Sequence, residues 1–112
     1  MDPLRGEIWM CDFDPVRGHE QGLQRPALVV STNVFNQGPA DLVVVLPMTG
    51  KDRGIPWHVK VQPPEGGAKK PSVVLCEQVR CVAKERLTKR WGAIKPATMQ
   101  MVDRNLRILL DL

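Results

Sequence analysis

Turns rich in glycine and proline divide this chain into short segments, so its secondary-structure elements must be short. Five segments are rich in strand-forming residues and are bounded by turn residues, as short β-strands are. The run at 41–48 is the most β-branched, and the run at 26–31 is apolar throughout, which is typical of a strand buried on both faces. The predicted strands cover residues 7–13, 26–31, 41–48, 57–61 and 72–82.

In the last segment, from Pro96 onward, the apolar residues have the spacing of a helix instead of that of a strand. Pro96 suits the first turn of a helix, because the N–H that it lacks would be unpaired there anyway. Five strands and one terminal helix predict a single mainly β domain over residues 1–112, a small bent sheet or partial barrel with a C-terminal helix. The apolar stripe of this helix, spaced by three and four residues, consists of Met99, Val102, Leu106 and Leu109.

This helix carries more apolar surface than one interface with the sheet needs. Residues outside the stripe can pack against a second copy of the chain, so we expect a homodimer. The alternative is that the sheet wraps around the whole helix. The additional apolar residues are Met101, Ile108, Leu110 and Leu112.

Length and composition exclude several classes of protein. With 112 residues, 43% hydrophobic and 25% charged, the chain has the make-up of one folded domain rather than of a disordered chain, a collagen or a coiled coil. No run approaches the ~20 apolar residues of a membrane-spanning helix, and the first residues lack the features of a secretory signal. We therefore expect a cytoplasmic protein with no membrane partner.

The three cysteines do not form a disulfide framework. Cys11, Cys76 and Cys81 are odd in number and follow no framework spacing. If the segment around Cys76 and Cys81 is a strand, their five-residue separation places them on opposite faces, which disfavours a shared zinc ion. We expect buried, reduced thiols and neither a metal nor another cofactor.

Positive charge is concentrated in the middle of the chain. Residues 41–95 carry eleven basic and five acidic side chains, a net charge of +6, whereas residues 1–40 carry three and five, a net charge of −2. The whole chain has a net charge of +4. A local basic excess suits a surface that binds a nucleic acid, although a solvated face can be equally basic.

The connection between the first two predicted strands, residues 14–25, is polar and long for a compact domain, which is typical of a functional loop. Its guanidinium, carboxylate and imidazole groups can stabilise charge and move protons on a phosphodiester; the alternative is ordinary solvated or turn residues. Arg25 stands out because Pro26 holds it extended at the start of a strand. The candidate residues are Arg17, His19, Glu20 and Arg25.

Two further segments carry candidate residues. Thr49 ends the third predicted strand before a basic loop, where threonine is either a functional hydroxyl or an ordinary turn residue. On the fifth predicted strand, Gln78 and Arg80 share one face with Cys76 and form a donor-rich strip for bases or phosphate, unless this face is plain solvent-exposed sheet. Residues 65–71 form an expected surface turn with no assigned role. Apart from Glu77, the other face of the fifth strand is apolar and consists of Val73, Leu75, Val79 and Cys81.

Seven motifs together resemble the MazF/PemK toxins, the mRNA interferases of bacterial toxin–antitoxin modules. Each motif alone is weak, but they occur in the order of the family and span nearly the whole chain. They are RGEIW (5–9), DFDP (12–15), RGHEQ (17–21), RPALVVS (25–31), VLPMT (45–49), WHV (57–59) and CEQVR (76–80).

The resemblance implies a fold, an activity and partners. Family members have an SH3-like small β-barrel with a C-terminal helix, the CcdB/PemK-type toxin fold, and form homodimers. They cleave single-stranded mRNA at short motifs without a metal: the ribose 2′-OH attacks the adjacent phosphate and leaves a 2′,3′-cyclic phosphate and a 5′-OH. A cognate antitoxin inhibits them by laying a disordered segment across the RNA groove.

The resemblance also implies site residues. Arg25 and Thr49 become the catalytic pair, and Glu20 lies in the loop that shapes the site. Many members carry serine at the position of His19; an imidazole there can share the proton transfer, because arginine stays charged near neutral pH and is a poor base. The expected RNA contacts are Arg17, Gln21, Lys51, Arg53, His58, Gln78 and Arg80.

Two alternatives to an endoribonuclease stay open. One is a non-catalytic toxin of the same fold that binds a protein, as the gyrase-inhibiting CcdB toxins do. The other is an inactive family member. The Arg25–Thr49 pair and the basic loops favour the nuclease over the protein-binding toxin, because a gyrase inhibitor would not need them.

Overall fold

A computed structural model describes residues 2–14, 18 and 23–112 of the chain. Four of the predicted site residues, Arg17, His19, Glu20 and Gln21, lie outside the described residues. In the described part, the chain forms seven strands and two α-helices. The strands are β1 (Glu7–Asp12), β2 (Gln24–Val29), β3 (Leu42–Thr49), β4 (His58–Val61), β5 (Ser72–Leu75), β6 (Arg80–Ala83) and β7 (Leu87–Ala93), and the helices are α1 (Asn33–Asn36) and α2 (Pro96–Leu110).

The strands form one antiparallel sheet in the order β4-β5-β3-β2-β1-β7, with β6 also paired to β3. The central strand β3 is the longest, and it is long enough to pair with β2 on one side and with both β5 and β6 on the other. The mainly β fold with a C-terminal helix predicted from the sequence is confirmed.

The prediction of one strand over 72–82 is wrong. Along β3 the pairing moves three residues, from Met48 to Val45, while the facing segment moves six, from Val74 to Arg80. The three extra residues form a 3-10 turn, Cys76–Gln78, between β5 and β6. This turn breaks the alternation of faces, which no period in the sequence reveals.

The cysteines show the consequence of this break. Cys76, expected on the polar face, is fully buried, whereas Cys81, expected among the apolar residues, is exposed. The prediction of a buried thiol therefore holds for Cys11 and Cys76 but is wrong for Cys81. Burial raises the pKa of both buried thiols to about 11, so they stay protonated at neutral pH.

Strand β7 was not predicted, because its sequence lacks the pattern of a half-buried strand. It pairs only with β1 and forms an edge of the sheet, and its middle residues Thr88, Lys89 and Arg90 are exposed. Charged side chains are common on edge strands, where they discourage pairing with another molecule. The location at an edge thus explains both the strand and its unusual composition.

Helix α2 matches the prediction closely, since it begins at Pro96. Val102 is fully buried, and Met99 and Leu106 pack against the core between the helix and the sheet. A second cluster lies on the other face of the sheet, with Phe13 and Val43 at its centre. The sheet is therefore buried on both faces where β2 and β3 run side by side, as predicted for 26–31.

Two further properties bear on function. Among the described residues, no group of three or more His, Cys, Asp or Glu side chains is placed to hold a metal ion. No helix in the described part of the chain is both long and apolar enough to cross a bilayer.

Candidate active site

A pocket of about 130 Å³ lies where the start of β2, the end of β3 and the Cys76–Gln78 turn come together. It collects most of the site residues that the sequence predicted in the described part of the chain. Its walls consist of Arg25, Thr49, Lys51, Arg53, Ile55, His58, Leu75, Glu77 and Gln78.

Strand register explains why Arg25 and Thr49 meet. Strands β2 and β3 are antiparallel neighbours with Ala27 opposite Pro47. Two residues before Ala27 is Arg25, and two residues after Pro47 is Thr49, so the same register places these two opposite each other. Because side chains alternate between the faces of a sheet, residues two positions along share a face. Both side chains therefore line one pocket, although 24 positions separate them in the sequence.

Arg25 is half-buried, and its position in the pocket leaves a donor unfilled. Its Nε atom is buried and has no hydrogen-bond partner in the described part of the chain. A buried donor without a partner costs about 1–3 kcal/mol, a cost that a bound acceptor removes. A phosphate is a suitable acceptor, because the planar guanidinium can donate to two of its oxygens at once.

Thr49 and the loop after it form the opposite wall. The Thr49 Oγ1 atom accepts a hydrogen bond from the Lys51 N–H at 3.3 Å, which fixes the start of the loop. Asp52 Oδ1 accepts from the Gly54 N–H at 2.9 Å and closes a turn within it. Lys51 and Arg53 are exposed around this turn and line the pocket. The wall thus combines one hydroxyl with two exposed positive charges.

His58 and Glu77 form a hydrogen-bonded pair on the pocket wall. The His58 Nε2 atom lies 2.9 Å from Glu77 Oε2, and the histidine side chain is only 4% exposed, against 30% for the glutamate. The other ring nitrogen, Nδ1, is buried without a partner among the described residues. Of the described residues that line the pocket, Glu77 carries the one carboxylate.

The family described as PemK-like, MazF-like toxin of type II toxin–antitoxin system matches residues 4–110. The chain belongs to this family. The resemblance seen in the seven motifs is thereby confirmed.

Known relatives of this MazF-like toxin cover nearly its whole length. Endoribonuclease EndoA of Bacillus subtilis is 34% identical over 109 residues, which is 96% of this chain and 94% of EndoA. MazF of Deinococcus radiodurans has a crystal structure that matches with a TM-score of 0.89 at 29% identity, covering 100% of this chain and 99% of that one. The same protein in a MazE–MazF complex matches with a TM-score of 0.81 at 30% identity, covering 98% and 96%.

One predicted RNA contact of the toxin lies apart from the pocket. Gln78 lines the pocket, whereas Arg80 begins β6 and places its guanidinium carbon 5.4 Å from the centre of the Phe13 ring. The expected strip of Gln78 and Arg80 on one strand face does not form, because Gln78 belongs to the 3-10 turn. RNA binding by Arg80 stays a prediction.

Of the described residues that line the pocket of the toxin, Glu77 is the polar one that was not predicted from the sequence. It was noted only as the charged exception on an otherwise apolar strand face. That exception was the available signal, because a charged residue within an apolar alternation indicates either a break in the strand or a functional group. Here it marks both, since Glu77 lies in the turn and in the pocket.

Proposed function

We propose that this toxin is an endoribonuclease that cleaves single-stranded RNA at a short sequence motif without a metal ion. The observation that carries the proposal is the placement of Arg25 opposite Thr49 in a pocket edged by Lys51 and Arg53. Fixed positive charge beside a reacting phosphate stabilises the charge that develops in the transition state. EndoA, which shares 34% of its residues with this chain, is itself named an endoribonuclease.

The proposed reaction needs no external nucleophile. The ribose 2′-oxygen attacks the adjacent phosphorus, the P–O5′ bond breaks, and the products are a 2′,3′-cyclic phosphate and a 5′-OH. One proton leaves the 2′-OH and one joins the departing 5′-oxygen, so the step is a transesterification that consumes no water. A base and an acid at these two oxygens accelerate it.

The pocket residues divide these tasks. Arg25 donates hydrogen bonds to the phosphorane oxygens, and the Thr49 hydroxyl orients the phosphate. Because a guanidinium stays charged near neutral pH, Arg25 is unsuited to remove a proton. Glu77 is the carboxylate in the pocket that can accept the 2′-OH proton, with His58 holding it in place. His19 and Glu20 remain candidates for proton transfer and for shaping the site.

The first test is cleavage of a long mixed-sequence RNA by the purified protein in excess EDTA, with the new ends mapped. We expect discrete cuts at a recurring motif, with 5′-OH and 2′,3′-cyclic phosphate ends. The Arg25→Ala variant should leave the RNA intact under the same conditions. Intact RNA with the folded wild-type protein would instead support a protein-binding toxin or an inactive member.

The pH dependence of the cleavage rate distinguishes Glu77 from His19 as the base. A base must lose its proton before it can act, so the rate rises with pH until the base is deprotonated. The variant that lacks the base, Glu77→Gln or His19→Ala, should lose this rising limb. A profile that keeps its shape in both variants would exclude both residues from this role.

We further propose that the toxin is a cytoplasmic homodimer that a cognate antitoxin inhibits. The dimer is supported by helix α2, where Met101 and Ile108 lie on one face and are 57% and 55% exposed. An exposed apolar helix face is typical of a contact between subunits. The antitoxin is supported by the MazE–MazF complex of the Deinococcus relative.

Charge on the exposed face of α2 should dissociate the dimer. We expect the wild-type protein to sediment at twice the chain mass and the Met101→Glu/Ile108→Glu variant to sediment as a monomer, because the contact would bury two carboxylates per subunit. Gln100→Glu adds charge to the same helix outside this face and should remain dimeric. A double variant that stays dimeric would place the subunit contact elsewhere.

A further inference from the structure

Two further depressions continue the active-site pocket on the far side of Arg25 and Thr49. The nearer one, of about 520 Å³, shares both residues with the pocket and is also lined by Lys69, Lys70 and Trp91. The next one, of about 480 Å³, shares Lys69 and Trp91 with it and adds Lys89. Because each depression shares lining residues with the next, the three lie side by side, and we call the two beyond the pocket the distal tract.

The turn that carries Lys69 and Lys70 is held tightly against β7. A Cβ atom at Gly67 would lie 2.4 Å from the Trp91 carbonyl oxygen, and one at Gly92 would lie 2.9 Å from the Gly66 carbonyl carbon. Only glycine allows the two backbones to approach this closely. On the other side of the turn, a Glu65 carboxylate oxygen accepts from the Lys95 N–H at 2.9 Å. The side chains of Lys69 and Lys70 thus extend from a backbone that this packing holds in place.

The lysines of the distal tract are available to a ligand. Lys70 reaches the residue after Thr49, since a Cβ atom at Gly50 would lie 3.0 Å from Lys70 Cε and 3.2 Å from its Nζ. Among the described residues, none of the ion pairs involves Lys69, Lys70 or Lys89. Three ammonium groups on neighbouring depressions, with no carboxylate partner in the described part of the chain, attract a polyanion.

Trp91 adds an aromatic surface between these charges. Trp91 is partly buried: it packs against the core and also lines both depressions of the distal tract. A tryptophan held in this way can stack on a nucleobase, and it does so with little regard to which base is present. Alternation of positive charge with an aromatic ring is typical of grooves that bind single-stranded nucleic acid.

We propose that the distal tract binds the single-stranded RNA that flanks the scissile phosphate. Lys69, Lys70 and Lys89 contact phosphates, and Trp91 stacks on a base. The inference rests on the proposed endoribonuclease function and extends it from the cleaved bond to the neighbouring nucleotides. The lining residues shared with the pocket and the aromatic ring among the lysines favour RNA over an acidic protein segment. The contacts are to phosphates and ring faces, so the tract adds affinity without adding sequence preference.

The test compares two RNA substrates that share the mapped cleavage motif. One is trimmed to the motif, and the other extends it by about six uridines on each side, within the range that one small domain contacts. With the extended RNA, the Lys69→Ala/Lys70→Ala variant should lose roughly tenfold in kcat/KM through a higher KM. The slope of log binding constant against log salt concentration should become shallower by about 0.7 for each phosphate contact that is lost. With the trimmed RNA, it should match the wild type.

Matched variants separate this effect from a general loss of charge or of structure. Arg107→Ala removes an exposed positive charge on α2, outside the tract, and should cleave both RNAs normally. Trp91→Ala should resemble the double variant, and Trp91→Phe should recover most of the activity because a ring remains for stacking. Circular dichroism melting curves identify any variant whose loss comes from unfolding.

The outcomes distinguish this inference from the function on which it rests. If the wild type cleaves but the lysine variant treats both RNAs alike, the distal tract does not bind the flank. If the variant cleaves extended RNA normally but binds an acidic antitoxin peptide less tightly, the tract serves the protein partner and the inference is overturned. A folded wild type that cleaves neither RNA overturns the proposed function, and this inference with it.

Discussion

Replacing Arg25 with alanine lowers kcat for RNA cleavage by about 10²–10³-fold, the effect typical of removing one donor that stabilises transition-state charge. The loss falls on kcat because the guanidinium meets the strongest negative charge only when phosphorus is five-coordinate. The free energy of unfolding should change little, because Arg25 Nε has no hydrogen-bond partner among the described residues that the substitution would leave unpaired. Single-turnover cleavage of the mapped motif measures the chemical step directly.

The Arg25→Lys variant tests geometry at constant charge. An ammonium cannot donate the two parallel hydrogen bonds of a guanidinium. We therefore expect the Arg25→Lys variant to cleave less than about tenfold faster than Arg25→Ala. Arg104→Ala removes an exposed positive charge on α2, away from the pocket, and should leave the rate unchanged. Equal rates for the arginine and lysine proteins would mean that only net charge matters at this position.

Replacing Glu7 with alanine lowers the free energy of unfolding by about 3 kcal/mol, the cost of leaving buried partners unpaired. Glu7 is buried at the start of β1 and accepts hydrogen bonds from the Leu4 N–H at 2.7 Å, from Trp9 Nε1 at 3.1 Å and from Arg90. These bonds tie the N-terminal segment and β7 to β1. Urea unfolding at one fixed protein concentration measures the change.

The same contacts predict how stability depends on pH. Burial alone raises the pKa of the Glu7 carboxyl, but hydrogen bonds from Arg90, Leu4 and Trp9 outweigh it and hold the pKa below its ordinary value of 4.5. The unfolded chain therefore takes up a proton at Glu7 at a higher pH than the folded chain. The stability that Glu7 contributes is complete above pH 4.5 and is lost as the pH falls through the lower pKa of the folded state.

Two variants check this origin of acid sensitivity. Glu7→Gln keeps an acceptor but cannot titrate, so its stability should fall less steeply than that of the wild type below about pH 5. Glu85→Ala removes an exposed carboxylate and should change the free energy of unfolding by less than about 0.5 kcal/mol. If the wild type and Glu7→Gln lost stability in parallel on acidification, another carboxyl group would be responsible.

Local signals in the sequence located the two strand ends that carry Arg25 and Thr49. The Arg25-Pro26 step marks where β2 begins, and the β-branched run that ends at Thr49 marks where β3 ends. Two adjacent antiparallel strands then bring one strand's start to the other's end. That these two residues act as a pair was implied by the resemblance to the MazF/PemK toxins, and in the structure both line one pocket.

The rest of the site depends on pairings that leave no local pattern. The break at Cys76–Gln78 arises because β3 offers pairing positions to two short strands with a three-residue offset between them. Strand β7 is stabilised by its pairing with β1 and not by its own composition. The distal tract needs β7, since its turn packs on that strand. Long-range pairing of this kind is decided by the whole sheet and overrides local propensity.

The Cys76–Gln78 turn gives this fold room to diverge. β5 pairs with the end of β3 and β6 pairs with its beginning, so the strand pairing on either side of the turn is complete without the turn. Glu77 and Gln78 therefore line the pocket from backbone that no ladder constrains, while Cys76 beside them anchors the turn in the core. Substitution of Gln78 can reshape the pocket and leave both the scaffold and the proposed base intact, so new cleavage preferences can evolve without a new fold.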